Sequence, residues 1–367
     1  MENLSEKAVL DVLSNVVEPD LKKDIVSLQL VQQLRVSENE ISFVVRVHNP
    51  AMHARKRMEE ACRFALERNF GKEIKMNITV EALGNDRSPE QRSVLPGVKN
   101  VIAIASGKGG VGKSTITANL AAGLAKKGYR IGLIDADIYG PSMPIMFDCR
   151  TEKPVLTEVE GKSYIKPIEN YGVKLLSIGL FAELDQAIVW RGPMASKALS
   201  QMVKDAYWGE LDFLLVDLPP GTGDIHLSLL QLVPLTGAVI VSTPQDVALA
   251  DARKGVAMFR LDSVKVPVIG MIENMAYFTP DELPQNKYYI FGKDGAKKLA
   301  ESLEIPFLGE IPLVQSIRES GDVGRPAVLQ EGTPVSIAFD LLVANFVEQV
   351  NRRNNKLEPT KPVEFLD

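Results

Sequence analysis

The chain has 367 residues, and at about 100 to 200 residues per domain this length predicts two domains, or one large domain with an appendage. Apolar residues make up 45% and charged residues 24%, a balance that excludes disordered, fibrous and coiled-coil proteins. The 42 basic and 47 acidic residues give a net charge of −5, so no overall positive field favours nucleic acid or an anionic membrane as a partner.

The apolar runs and the first residues argue against a membrane protein or a secreted one. The longest runs, such as 266–272, are far shorter than the roughly 20 residues that cross a bilayer. The amino terminus has neither a basic nor an apolar signal region. We therefore expect a cytoplasmic protein. Its two cysteines, Cys62 and Cys149, do not make a disulfide framework and are expected to be reduced thiols.

Residues 1–82 are predicted to form a small α+β domain, because helical and alternating apolar patterns follow each other there. Ser5 is a possible cap of the first helix, and Gly71 is a stop signal for the second. The predicted elements are a helix over 4–16, strands over 25–36 and 41–47 joined by a hairpin at 37–39, a helix over 51–69 and a strand over 74–80.

A polar linker, 83–97, is predicted to lead into a larger domain, 98–352, which is followed by a charged tail, 353–367. In the larger domain short apolar runs alternate with helical patterns, which indicates a doubly wound, mostly parallel sheet flanked by helices. The predicted elements are strands over 101–105, 130–134, 213–216, 238–241 and 266–271, a helix over 114–127, and a last helix ending near residue 351.

The strongest motif lies between the strand 101–105 and the following helix. It matches G-x-x-x-x-G-K-[ST], the phosphate-binding loop of P-loop nucleoside triphosphatases. Lys113 is expected to reach the β and γ phosphates of ATP, and the Ser114 hydroxyl to bind Mg²⁺. The predicted ATP-binding residues are Gly107, Lys108, Gly109, Gly110, Val111, Gly112, Lys113, Ser114 and Thr115.

Acidic residues follow two of the predicted strands. Asp217 ends a buried strand and is predicted to be a magnesium ligand, with the loop from Leu218 to Asp224 as a switch that senses the γ phosphate. Asp137 is predicted to orient or polarise the attacking water, and Asp135 to hold either the magnesium shell or the loop. The alternative for these carboxylates is a simple turn-forming role.

A second lysine in the loop, Lys108, resembles the deviant Walker-A class of dimeric ATPases that includes MinD and ParA. The resemblance implies a homodimer in which Lys108 reaches the nucleotide of the partner subunit and takes part in catalysis, together with Lys113 and Asp137. A solvated lysine in a tight loop is the plainer alternative.

Further segments resemble one subgroup of that class, the Mrp/ApbC-type iron–sulfur cluster carriers. This resemblance covers nearly the whole chain and implies an ATPase that delivers clusters to apoprotein clients. It also implies that Asn274 contacts adenine, and it leaves the role of Arg191 undefined. The segments that carry it are 97–100, 137–142, 190–194, 217–224, 273–278 and 309–313, together with the amino-terminal domain.

The match fails at the expected cluster site. The family holds its cluster with a C-x-x-C shortly after E-N-M-x-Y-F, whereas the residues after Phe278 include no cysteine, so no iron–sulfur ligand is identifiable. Cys62 is expected in a helix as a core thiol, and Cys149 in a loop where two copies of a homodimer could pair. His48, His53 and His226 have no metal-ligand spacing.

Two hypotheses follow: an ATP-hydrolysing cluster carrier, or an ATP-dependent dimerisation switch or scaffold without a cluster of its own. A positioning ATPase that acts on membranes or DNA is disfavoured, because the tail is interrupted by Pro359 and Pro362 and is mixed in charge.

Overall fold

The computed structural model describes residues 5–18, 23–28, 30–37, 40–47, 52–71, 73–82, 94–137, 140–159, 161–181, 192–223, 226, 229–230, 232–280, 282–283 and 285–357. The chain divides into two compact units, Met1–Gln91 and Arg92–Asp367. Several predicted features lie outside the described residues: most of the linker (83–93), Arg191, the last switch residue Asp224 and the end of the tail (358–367).

The first unit contains a three-stranded sheet in the order β3-β4-β5, with β3 antiparallel and β5 parallel to β4. Ser5 caps the first helix, since its Oγ accepts a hydrogen bond from the Ala8 amide at 3.3 Å. The elements are α1 (Glu6–Leu13), β1 (Val17–Glu18), β2 (Lys23–Asp24), β3 (Val31–Ser37), β4 (Glu40–Val47), α2 (Met52–Phe70) and β5 (Lys75–Ala82).

The strand predicted over 25–36 was too long, because β3 begins only at Val31. The preceding residues form a turn in which Asp24 Oδ1 accepts the amide hydrogens of Val26 at 3.1 Å and Ser27 at 2.7 Å. An aspartate that bonds the backbone two and three residues later stabilises a turn at the expense of a strand.

The second unit is built on an eight-stranded sheet in the order β10-β11-β7-β12-β6-β13-β14-β15, in which only β10 is antiparallel to its neighbour. The described strands of this unit, of which β8 and β9 are not part of the eight-stranded sheet, are β6 (Val101–Ala105), β7 (Ile131–Asp135), β8 (Val155–Val159), β9 (Lys162–Lys166), β10 (Ile168–Asn170), β11 (Val173–Ser177), β12 (Phe213–Asp217), β13 (Gly237–Ser242), β14 (Val268–Asn274) and β15 (Phe307–Ile311). Its α-helices are α3 (Lys113–Lys126), α4 (Met143–Met146), α5 (Gly192–Lys204), α6 (Asp246–Arg260), α7 (Gly295–Ser302), α8 (Gln315–Asp322) and α9 (Pro334–Lys356).

Helices cover both faces of this sheet, which explains why its central strands are continuous apolar runs. One face packs against α5, α6 and α7, and the other packs against α3 and α9. The predicted doubly wound, mostly parallel α/β fold is confirmed. Strands β8 and β9 form a separate two-stranded antiparallel sheet, which was not predicted. No helix in the described part of the chain is long and apolar enough to cross a membrane.

The sheet brings the predicted acidic residues to one edge. Strand β12 lies between β7 and β6, with Asp217 directly opposite Asp135 in the parallel register. The loop that follows β6 therefore starts beside both carboxylates, at the carboxyl ends of the strands where open α/β sheets bind ligands.

Candidate functional site

The loop between β6 and α3 has the conformation that its glycines predict. Gly110 and Gly112 have φ angles of 81° and 79°, in the left-handed region that favours glycine. At Gly112 a side chain would also overlap the Asn274 amide. Lys113 is the first residue of α3, so the loop ends at a helix amino terminus, where unpaired amides and the helix dipole attract phosphate.

Asp217 is the centre of the site. Its carboxylate is completely buried and contacts three side chains of α3. Oδ2 lies 2.7 Å from Lys113 Nζ and accepts a hydrogen bond from Ser114 Oγ at 2.7 Å, while Oδ1 accepts one from Thr117 Oγ1 at 2.6 Å. Lys113 is only 6% exposed, so the pair is a buried one and depends on these additional hydrogen bonds.

Thr117 was not singled out from the sequence. Its hydroxyl also lies 2.9 Å from the Lys113 carbonyl oxygen, one turn earlier in α3. The sequence signal that could have identified Thr117 is its i, i+4 spacing from Lys113, because this spacing places both side chains on the same face of the helix. Thr117 therefore links the helix start to Asp217.

Asp135 is held by the end of β11, the start of α4 and a residue of the segment between β7 and α4. Oδ2 accepts hydrogen bonds from Ser177 Oγ at 2.8 Å and from the Met143 amide at 3.2 Å, and Oδ1 accepts the Asp137 amide at 3.2 Å. Burial, together with the nearby charge of Asp217, raises the pKa of Asp135 to about 7. Of the two roles left open by the sequence, these contacts favour holding the loop.

Asp137 is half-buried and follows Asp135 at the same edge of the sheet. The two residues after it, Ile138 and Tyr139, lie outside the described part of the chain. The proposed action of Asp137 on the attacking water therefore stays a prediction.

The predicted switch loop lies against the P-loop. The Leu218 amide donates to the Ile104 carbonyl at 3.0 Å, and the Gly221 amide donates to the Ser106 carbonyl at 3.0 Å. Because Ser106 directly precedes Gly107, the second of these bonds joins the switch loop to the start of the P-loop.

Asn274 is buried at the end of β14, and its Nδ2 donates to the Val111 carbonyl at 2.9 Å. This side chain therefore supports the P-loop, and its contact with adenine stays a prediction. Lys108 is half-buried, and its ammonium forms no ion pair with any described residue. A lysine with no carboxylate partner among the described residues is compatible with the predicted reach into a partner subunit.

His226, to which the sequence assigned no role, is 1% exposed just beyond the switch loop. Neither ring nitrogen has a hydrogen-bond partner among the described residues. Burial, with a further contribution from the positive charge of Lys113, lowers the pKa of this imidazole to about 4. The only sequence signal was its position two residues after Asp224.

Each of the two cysteines is buried in the core of its own unit. Cys62 is buried in α2 of the first unit, and Cys149, in the loop after α4, is only 1% exposed. Cys149 packs into the core on the α3–α9 side of the sheet, and this burial argues against its pairing across a homodimer, which stays a prediction. Burial raises the pKa of each thiol to about 12, which disfavours the thiolate that binds iron.

The segment where the resemblance implies cluster ligands forms a backbone-paired loop. Phe278 and Tyr288 exchange amide-to-carbonyl hydrogen bonds of 2.8 Å. Lys287 Nζ lies 3.7 Å from the centre of the Tyr277 ring. No group of three or more potential metal-binding side chains occurs among the residues that the structure describes.

Two family models match this chain. One, described as NUBPL iron-transfer P-loop NTPase, covers residues 97–347, and the other, described as iron–sulfur cluster assembly protein, covers residues 6–76. The iron–sulfur cluster carrier protein of Synechocystis is 41% identical over 93% of this chain and 96% of its own length. The protein of the same name from Deinococcus radiodurans is 44% identical, with 92% of each chain covered. Among solved structures, a nucleotide-binding protein from Archaeoglobus fulgidus in complex with ADP is 36% identical with a TM-score of 0.56, covering 66% of this chain and 92% of that one.

Proposed function

Because this chain belongs to the family of NUBPL-type iron-transfer P-loop NTPases, we propose that it is an ATP-hydrolysing homodimer that carries iron–sulfur clusters to apoproteins. The observation that carries the nucleotide half of this proposal is the arrangement of Lys113, Ser114 and Asp217 at the start of α3.

The donor set fits magnesium. The Ser114 hydroxyl and the Asp217 carboxylate are hard oxygen donors that lie together at the helix amino terminus. They would hold the ion, which supplies charge neutralisation of the phosphates when it is bound. Lys113, now paired with Asp217, would instead pair with the β and γ phosphates, so ATP exchanges one buried ionic contact for another.

The remaining residues have proposed roles in the same step. Asp137 would orient the attacking water, and Lys108 would reach the nucleotide of the partner subunit in the homodimer. The hydrogen bond between Gly221 and Ser106 would let the switch loop respond when the γ phosphate leaves. Hydrolysis would thereby change the dimer, and with it the affinity for a cluster or a client.

The buried thiols favour a second candidate, an ATP-dependent dimerisation switch or scaffold that acts on protein partners without a cluster of its own. Carboxylates and amides are not the usual ligands of iron–sulfur clusters, and both cysteines of this chain lie in a core. In this case the partner proteins would supply the iron ligands.

Anaerobic reconstitution with iron and sulfide separates the two candidates. The wild type, Cys62→Ser and Cys149→Ser are compared for iron and acid-labile sulfide per dimer, with ATP turnover measured on the same samples. A near-stoichiometric cluster that one substitution removes supports the carrier. Iron and sulfide at background level, with ATP turnover intact, refute the carrier and support the switch. If ATP is not hydrolysed, both candidates fail.

A further inference from the structure

A groove runs along the outer side of the sheet between α6 and α7. It consists of two adjoining cavities of about 600 and 430 Å³, and Arg253 contributes to both of them. Helix α6 has 15 residues, so at about 1.5 Å per residue the groove follows some 22 Å of helix. Leu249, Leu261 and Leu303 are at least partly exposed and form its apolar surface, with the buried Val256 and Leu299 beneath them.

The groove is positively charged although the protein has a net charge of −5. Four cationic side chains line it against two carboxylates, which leaves a local charge of +2. One of those carboxylates, Asp262, already faces Lys265 at 3.9 Å. The cations are Arg253, Arg260, Lys293 and Lys298.

Three of these cations are available for a partner, whereas Arg260 Nη2 donates to the Leu303 carbonyl at 2.7 Å. Arg253, Lys293 and Lys298 are exposed, and none of them forms an ion pair with a described residue. Lys293 Nζ lies 4.9 Å from the centre of the Tyr289 ring. The amino terminus of α7 contributes little of this charge, since Glu273 Oε2 accepts the Ala296 amide hydrogen at 2.6 Å.

We propose that the α6–α7 groove docks an acidic segment of a partner protein in which apolar residues recur between the carboxylates. The unpaired cations would receive the carboxylates, and the leucine-rich lining would receive the apolar side chains. A small anion is a poorer match, because the second cavity is mostly apolar and ends at Leu261, which is 51% exposed.

The groove is connected to the nucleotide site through α6. Gly107 lies so close to the backbone of Asp251 and Ala252 that a side chain at this position would overlap it. A partner bound to the outer side of α6 would therefore contact a helix whose inner side contacts Gly107, the first glycine of the P-loop. This link to ATP turnover rests on the proposed function, whereas docking itself does not.

The test uses the full chain and a fluorescein-labelled 15-residue peptide of glutamate with leucine at every third or fourth position. Binding is followed by fluorescence anisotropy without nucleotide. The groove variant is Arg253→Glu/Lys298→Glu, and the matched control is Lys153→Glu/Lys166→Glu, an equal charge change at exposed positions elsewhere in the same unit. We expect saturable binding that is about tenfold weaker in the groove variant and unchanged in the control.

Any of these results would overturn the proposal: no saturable binding by the wild type, an equal loss in the control variant, equal binding of a peptide with lysine in place of glutamate, or displacement by equimolar tripolyphosphate. The last would indicate a small-anion site. Self-association that the groove variant abolishes would assign the groove to a second copy instead, and would also refute the proposal. Because the assay contains no ATP, failure of docking leaves the proposed ATPase standing, and loss of ATPase activity with docking intact refutes only the latter.

Discussion

The substitution Asp217→Asn tests the buried ion pair at the centre of the site. Asparagine keeps the shape and one acceptor oxygen but removes the charge that faces Lys113, which is 6% exposed and pairs with the carboxylate at 2.7 Å. Removing one partner of a buried pair costs about 3–5 kcal/mol, because the other charge is left without compensation. In a unit of this size we expect the melting temperature to fall by on the order of 10 °C.

Thermal unfolding of the wild type and Asp217→Asn in EDTA measures this effect, and Asp340→Asn is the control. Asp340 faces Lys126 at 3.4 Å with both side chains partly exposed, so its loss should cost at most about 1 kcal/mol. Added ATP should recover part of the loss in Asp217→Asn, since phosphate gives Lys113 a new anionic partner. If Asp217→Asn melts within about 2 °C of the control, the buried ion pair does not stabilise the fold by the expected amount.

The other predictions concern pH and the P-loop. Asp135 has a folded-state pKa of about 7 against an ordinary value of 3.8. Its contribution to stability is therefore complete below pH 3.8 and is lost as the pH rises through 7. Denaturant unfolding should show the wild type losing stability relative to Asp135→Asn over this range. His226 behaves in the opposite sense: its pKa is lowered from 6.5 to about 4, so the wild type should lose stability relative to His226→Gln as the pH falls from 6.5 to 4, and parallel pH curves would contradict the burial of the imidazole. Gly112→Ala should weaken ATP binding at least about tenfold, because a side chain there is strained and meets Asn274, whereas Gly128→Ala, also at positive φ but with open space around it, should bind ATP normally in the same titration.

The sequence predicts the P-loop and the strands beside it closely because several signals agree there. The apolar run 101–105 is a strand to the residue, and the glycines before Lys113 mark the sharp turn into the helix. Asp217 and Asp135 could be placed at strand ends from the sequence, but their pairing in register depends on the strand order. The structure was also needed to show that Asp217 contacts side chains of α3, whereas Asp135 accepts hydrogen bonds from Ser177, Met143 and Asp137.

Other parts of the fold were missed for identifiable reasons. The strands β8 and β9 are largely exposed, so they lack the apolar run that marks the central strands. Helix α9 continues to Lys356, past the predicted end near residue 351. The prediction stopped early because the last turn of the helix is polar and has no apolar periodicity. The burial of Cys149 was invisible in the sequence, since it results from long-range packing of a loop against the core.

Mixing two inactive variants tests the claim that ATP is hydrolysed by a dimer whose sites Lys108 completes in trans. On this proposal Lys108→Ala would not supply the lysine to its partner, and Asp137→Ala would not hydrolyse ATP in its own site. In a mixed dimer the Asp137→Ala subunit supplies Lys108 to the intact site of the other subunit. We predict no turnover by either variant alone and recovery, in an equimolar mixture, of about a quarter of wild-type turnover, since half of the dimers would have one of two sites complete. A mixture as inactive as its components, or full activity of Lys108→Ala alone, would contradict the claim.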